Sequence, residues 1–205
     1  MSYKKLSIII GMFGISLIVI SLFMFSSIDK NNLNQELENK DKFMDYYLGG
    51  ENHFDLALDE AYNGDAYYDY ASESYDTYYF EDGIYYCTEA RYYYSEAAGE
   101  YDVARAMFIK AEEYATDDKY AELSREYVNL SELGADLMYD MYEACEYFEA
   151  SMQNYIYYYD SDYESYYEIA NAELESMNEK IRSHDNTVNL YNKCLGRITA
   201  LKELE

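Results

Sequence analysis

Apolar residues recur at alternating spacings of three and four along most of this chain. One run takes Phe54, Ala57, Ala61, Gly64, Tyr68, Ala71, Tyr75 and Tyr78. A second takes Cys87, Ala90, Tyr94, Ala97, Tyr101, Ala104, Phe108, Ala111 and Ala115. A third runs from Tyr120 through Leu123, Tyr127, Leu130, Gly134, Leu137, Met141, Ala144, Phe148 and Ser151 to Tyr155. A fourth runs from Leu174 through Met177, Ile181, His184, Val188, Tyr191 and Leu195 to Ile198. Each run is a heptad seam, the stripe by which an amphipathic helix packs on its neighbours. In the second seam alanine alternates with cysteine or an aromatic residue, a size alternation that lets facing helices interdigitate closely. Tyr94 and Tyr101 are therefore expected in the core, beside alanines.

Breaks are expected at Gly49–Asn52 (GGEN), Glu81–Gly83 (EDG), Thr116–Lys119 (TDDK) and Asp160–Asp162 (DSD), each carrying glycine or helix-capping acids. The run TYYFEDGIYYCT also fits a β-hairpin, since Asp-Gly between aromatic runs is a hairpin signal. Seams approaching it from both sides favour a helix–turn–helix. The expected fold is all-α: an elongated, antiparallel up-down four-helix bundle, with helices of about 29, 33, 41 and 41 residues spanning roughly 43 to 62 Å. Gly99–Ala111 (GEYDVARAMFIKA) resembles the tetratricopeptide half-repeat pattern over that one stretch. Tyr92 departs from the pattern, no repeat period appears elsewhere, and the heptad seam accounts for the same residues.

Leu6–Ile28 is a run of 23 residues without a charge, long enough to cross a bilayer. Lys4 and Lys5 precede it, which puts the N-terminus in the cytoplasm and the rest of the chain outside. A cleaved signal peptide is the rival reading, with a shorter apolar region expected. No second apolar segment follows, so a single crossing is expected. The domain plan is an anchor at 1–28, a helical stalk or linker at 29–50 and an acidic, tyrosine-rich bundle at 51–205.

Charge adds a second constraint. Between Phe43 and Ala170 there are 31 acids against 5 bases, whereas Asn171–Glu205 has 6 against 5. A surface this acidic repels phosphate and excludes nucleic acid as a partner. The composition contains no proline or tryptophan but 30 tyrosines.

Catalytic signatures are absent: the sequence has no HExxH, no Glu-x-x-His pair, no phosphate loop and no G-x-S-x-G. The reading is that the chain is not an enzyme. His184 lies on a seam and is read as a polar residue tolerated in a helix interface; His53 is expected to face solvent. Glu81, Asp82, Asp160 and Asp162 belong to turns at one end of an up-down bundle, and oxygen ligands of this kind suit calcium. Capping and solubility account for the same four residues. Asn129–Ser131 is a formal N-glycosylation sequon.

Three cysteines leave at least one unpaired. In an antiparallel hairpin turning near residues 117–118, Cys87 and Cys145 differ in level by only roughly 4.5 Å, which makes a disulfide feasible in an oxidising exterior. Small apolar filling is the alternative for all three. Cys194 lies far from both along the bundle.

Tyr62, Tyr70, Tyr85, Tyr92, Tyr139, Tyr142 and Tyr157 fall off the seams and are expected to point outward. Tyrosines exposed in number mark contact surfaces, or else they fill wide helix faces in place of leucine. Two function classes follow. One is a membrane-anchored interaction or scaffold protein of the cell envelope, binding a protein or an envelope glycan. The other is an extracellular ligand- or cation-binding module.

Overall fold

The computed structural model describes residues 30–203, and these form four helices joined by short turns. They are α1 (Lys30–Asp76), α2 (Phe80–Tyr114), α3 (Asp118–Ser161) and α4 (Glu164–Lys202). The alternative hairpin is not formed, since α1 and α2 are helical up to a three-residue turn at Thr77–Tyr79. The apolar segment Leu6–Ile28 lies outside the described residues; among those described, no helix is long and apolar enough to cross a membrane.

Each helix packs on its sequence neighbours, as short turns require. α1 lies along α2, α2 along α3 and α3 along α4, while α1 and α4 have no close backbone approach. Side chains alone bridge them: Tyr68 Oη donates to Met177 Sδ at 3.8 Å, and Lys202 Nζ reaches Glu51 Oε1 at 3.5 Å. The bundle is thus drawn tight around α2 and α3. On α4 only Ala170, Cys194 and Ile198 are buried.

The seams explain that core. Cys87, Ala90, Tyr94, Ala97, Ala104, Phe108 and Ala111 are all fully shielded, and Tyr101 nearly so. Leucine at Ala97 or Ala104 should overpack this contact and cost on the order of 1–3 kcal/mol. The same change at the exposed Ala106 should leave the unfolding free energy nearly unchanged. Chemical denaturation of the three variants checks the register, and equal losses would show it to be wrong.

Two expected breaks are corrected. α1 runs straight through Gly49–Asn52. Gly50 faces the Phe108 ring so closely that a Cβ there would lie 2.8 Å from Cε1, and Gly49 faces Met107. These glycines let a large side chain of α2 approach the α1 backbone, and they do not end the helix. The later part of the expected stalk is accordingly built into the bundle: Phe43 and Tyr47 are buried, with Phe43 against Tyr120 and Tyr47 against Phe108 and Tyr127.

The first turn also falls earlier than Glu81–Gly83. Thr77 Oγ1 donates to the Glu73 carbonyl at 2.8 Å, and Tyr78 adopts φ 63°. That left-handed conformation is unfavourable for a bulky L-residue. Glu81 and Asp82 then occupy the first turn of α2, where the helix dipole favours acids. Gly83 sits under Met152 in the α2–α3 contact. The remaining turns fall where expected. Asp117 caps α3 by accepting from the Lys119 N–H at 2.7 Å, and Asp162, at φ 57°, ends it.

Candidate functional site

The turn between α1 and α2 meets the C-terminal end of α3 at one end of the bundle. There a cleft of about 650 Å³ is lined by Tyr78, Tyr79, Phe80, Glu81, Asp82, Ile156, Tyr159 and Asp160. Phe80 forms its floor, buried and stacked on Tyr155 at 5.5 Å and on Tyr159 at 6.0 Å. Tyr78, at 71% exposure, crosses Phe80 edge-on. Three of the four acids singled out as calcium ligands, Glu81, Asp82 and Asp160, therefore share a cleft, while Asp162 lies outside its lining. Among the described residues no three His, Cys, Asp or Glu side chains converge closely enough to hold a metal ion. The acids ring the cleft without closing on a point.

A second feature lies on the outer face of the α1–α2 hairpin. Tyr67 stacks on Tyr93 at 5.3 Å and also meets Tyr70 and Tyr86; Tyr86 meets Tyr70 and Tyr85, and Tyr93 meets Tyr92. Six tyrosines thus form one connected surface drawn from two helices. Glu89 lies within it, and its charge is the first cause raising the Tyr85 hydroxyl above its ordinary value. Of the seven tyrosines expected to point outward, Tyr62, Tyr70, Tyr85, Tyr92, Tyr139 and Tyr157 are exposed. Tyr142 is only half-exposed, because Arg91 lies over its ring at 4.7 Å and donates to its hydroxyl at 2.9 Å. Arg91 also pairs with Glu146 and Glu149, so one guanidinium ties α2 to three groups of α3.

The cysteines are all buried free thiols. The neighbouring Cys87 thiol, and burial after it, hold the Cys145 thiol well above its ordinary value. Cys194 donates to the Glu126 carbonyl at 3.2 Å, and burial together with Glu126 pushes it up to about 12.

Polar groups between helices were the least visible beforehand. His53 does not face open solvent: its Nδ1 lies 2.6 Å from Glu100 Oε2, linking α1 to α2. His184 is half-buried, and burial lowers its pKa. Tyr94 Oη donates to Asp65 Oδ1 at 2.9 Å. Burial, only partly offset by that hydrogen bond, pushes Asp65 up to about 6. Burial likewise raises Glu51, Asp55 and Asp136.

A carboxyl raised on folding holds a proton in the folded state at pH values where the unfolded chain has lost it, so stability grows as pH falls. For Asp65 the gain is complete below its ordinary 3.8 and is lost as pH rises through about 6. His184 opposes this, since the unfolded chain takes up its proton first as pH falls. Glu38 and Glu126, held low by Lys42 and Arg197, lose their contribution only below their ordinary 4.5. The four raised acids outnumber His184, and melting temperature should rise from pH 7.5 to pH 5. Asp65→Asn keeps an acceptor for Tyr94 and should add about 2 kcal/mol at pH 8 while flattening the profile. Parallel profiles for the two proteins would remove Asp65 from the account.

No family model, curated protein or solved structure matches this chain.

Proposed function

We propose that this chain is a membrane-anchored interaction or scaffold protein, displayed outside the cytoplasm as an acidic helical bundle. The observation that carries the reading is the connected tyrosine surface of Tyr67, Tyr70, Tyr85, Tyr86, Tyr92 and Tyr93. Tyrosine offers a large, stiff apolar face with a polar tip, the composition that protein contact surfaces favour. Tyr67 and Tyr86 rest partly on the core, whereas Tyr70, Tyr85 and Tyr92 stand exposed beyond it. The anchor at Leu6–Ile28 and the cytoplasmic Lys4 and Lys5 set the orientation in this reading.

Two measurements test it. Protease added to intact cells should remove residues beyond Asp29, and full protection of the C-terminal region would end the exported reading. A photo-crosslinking residue placed at Tyr85 or Tyr92 should capture one envelope component, whereas the same residue at Asp102 should not. Even labelling from all three positions would end the contact-surface reading. The alternative reading, a ligand- or cation-binding module, is favoured by the aromatic and acidic cleft at the end of the bundle.

A further inference from the structure

The chain's own cations show how this protein holds positive charge. Arg91 lies over the Tyr142 ring and pairs with Glu146 and Glu149. Lys42 lies 5.2 Å over Tyr114 and pairs with Glu38 at 2.7 Å. Lys202 donates to the Tyr127 hydroxyl at 2.8 Å, with its nitrogen 5.2 Å from the ring centroid, and pairs with Glu51 at 3.5 Å. In each case one cation takes both a tyrosine, by its ring or its hydroxyl, and a carboxylate, a combination that strengthens when the site is partly dry.

The cleft at the end of the bundle offers the same combination, and no lysine or arginine among the described residues lines it. Rings of Tyr78, Tyr79, Phe80 and Tyr159 line it beside Glu81, Asp82 and Asp160. No lysine or arginine occurs between Lys42 and Arg91, nor from Glu146 to Glu179. Two helices, α1 and α3, end here, and neither has a basic residue in its last turn. The N-termini of α2 and α4 lie at the same end, so the helix dipoles offset and the side-chain carboxylates carry the negative charge of the cleft.

The shape of the site selects among cations. The carboxylates do not converge, so a point ion such as calcium would lack a full oxygen shell. A flexible chain with several ammonium groups separated by methylenes matches the distribution: each ammonium meets a carboxylate or a ring face, and the methylenes lie on the aromatic floor. The volume of about 650 Å³ is that of a small-ligand site. We propose that this cleft binds a linear aliphatic polyamine. The proposal does not depend on the tyrosine surface or on which compartment the bundle occupies.

Isothermal titration of spermidine into the full-length chain in detergent, at physiological salt, tests it. Saturable one-site binding is expected. Glu81→Gln combined with Asp160→Asn should weaken it at least about tenfold, and Tyr159→Leu severalfold. Asp59→Asn combined with Asp102→Asn removes equal charge from α1 and α2 at roughly 25–35 Å from this end and should leave binding unchanged. Helical circular dichroism of each variant reports that the bundle is intact. Equal loss in both double variants, or binding that never saturates, would reduce the effect to counterion condensation and overturn the proposal. Calcium binding as tightly as spermidine would overturn it in favour of a metal, and an oligoarginine peptide binding more tightly would overturn it in favour of a protein partner.

Discussion

Gly134→Ala is expected to destabilise the bundle by about 3 kcal/mol, although alanine is the better helix former by about 1 kcal/mol. A Cβ at position 134 would lie 2.6 Å from Cε1 of Tyr101. The ring has no room to retreat. It is almost wholly buried, crosses Phe54 edge-on at 5.2 Å and neighbours Tyr191 of α4. The methyl group must therefore push α3 away from α2 or force Tyr101 off its rotamer, and either change loosens contacts on three helices. Gly64 stands in the same relation to Tyr94, at 2.7 Å, so Gly64→Ala should behave alike. Gly99→Ala is the counter-experiment: the position is helical, with nothing within 4 Å of the new carbon, so stability should rise by up to about 1 kcal/mol. Urea denaturation of the three variants gives the signs. Destabilisation of similar size at Gly99 would mean that these glycines do not act through ring contact.

The glycines also show what could be read from the sequence and what could not. Gly64 and Gly134 fall on heptad seams, and the seams placed them inward correctly. Gly49 and Gly50 serve the same purpose in α1, yet the pair beside two polar residues reads as a helix end. Only the rings of Phe108 and Met107's thioether, arriving from another helix, show otherwise. Local sequence carries the propensity of glycine but not the identity of its facing partner. The tyrosine surface was hidden for a related reason. On α2, Tyr85 with Tyr92 and Tyr86 with Tyr93 recur seven apart, but Tyr67 and Tyr70 join them from α1 only across the hairpin. His53 and Glu100 are likewise 47 positions apart and meet only across the hairpin. By contrast, the alanine seam was legible because size alternation at a seven-residue period is a property of one helix alone.

Exposure to an oxidising compartment is expected to join Cys87 to Cys145 and to stabilise the bundle by about 4 kcal/mol, from the entropy of closing a loop of nearly 60 residues in the unfolded chain. The register supports the pairing. α2 ends at Tyr114 and α3 begins at Asp118, so the turn centres on residue 116 and each cysteine lies 29 residues from it. The two thiols are neighbours close enough for Cys87 to be the first cause raising Cys145, and both are fully buried. Oxidation releases two protons and passes two electrons to an oxidant such as glutathione disulfide, leaving one sulfur–sulfur bond between α2 and α3. Burial slows the reaction in the folded state, since attack requires a thiolate and burial disfavours the charge. The bond should therefore form during folding, before the hairpin closes, and then resist reductant until the bundle opens. Cys194 cannot compete: it lies on α4, bonded to Glu126, and should remain a thiol. Peptide mapping without reductant should recover Cys87 linked to Cys145 from cells that export the chain. Reductant should lower the melting temperature of that material but not that of a Cys145→Ser variant. Protein from an exporting cell that carries all three thiols free, with no response to reductant, would leave the cysteines as packing residues only.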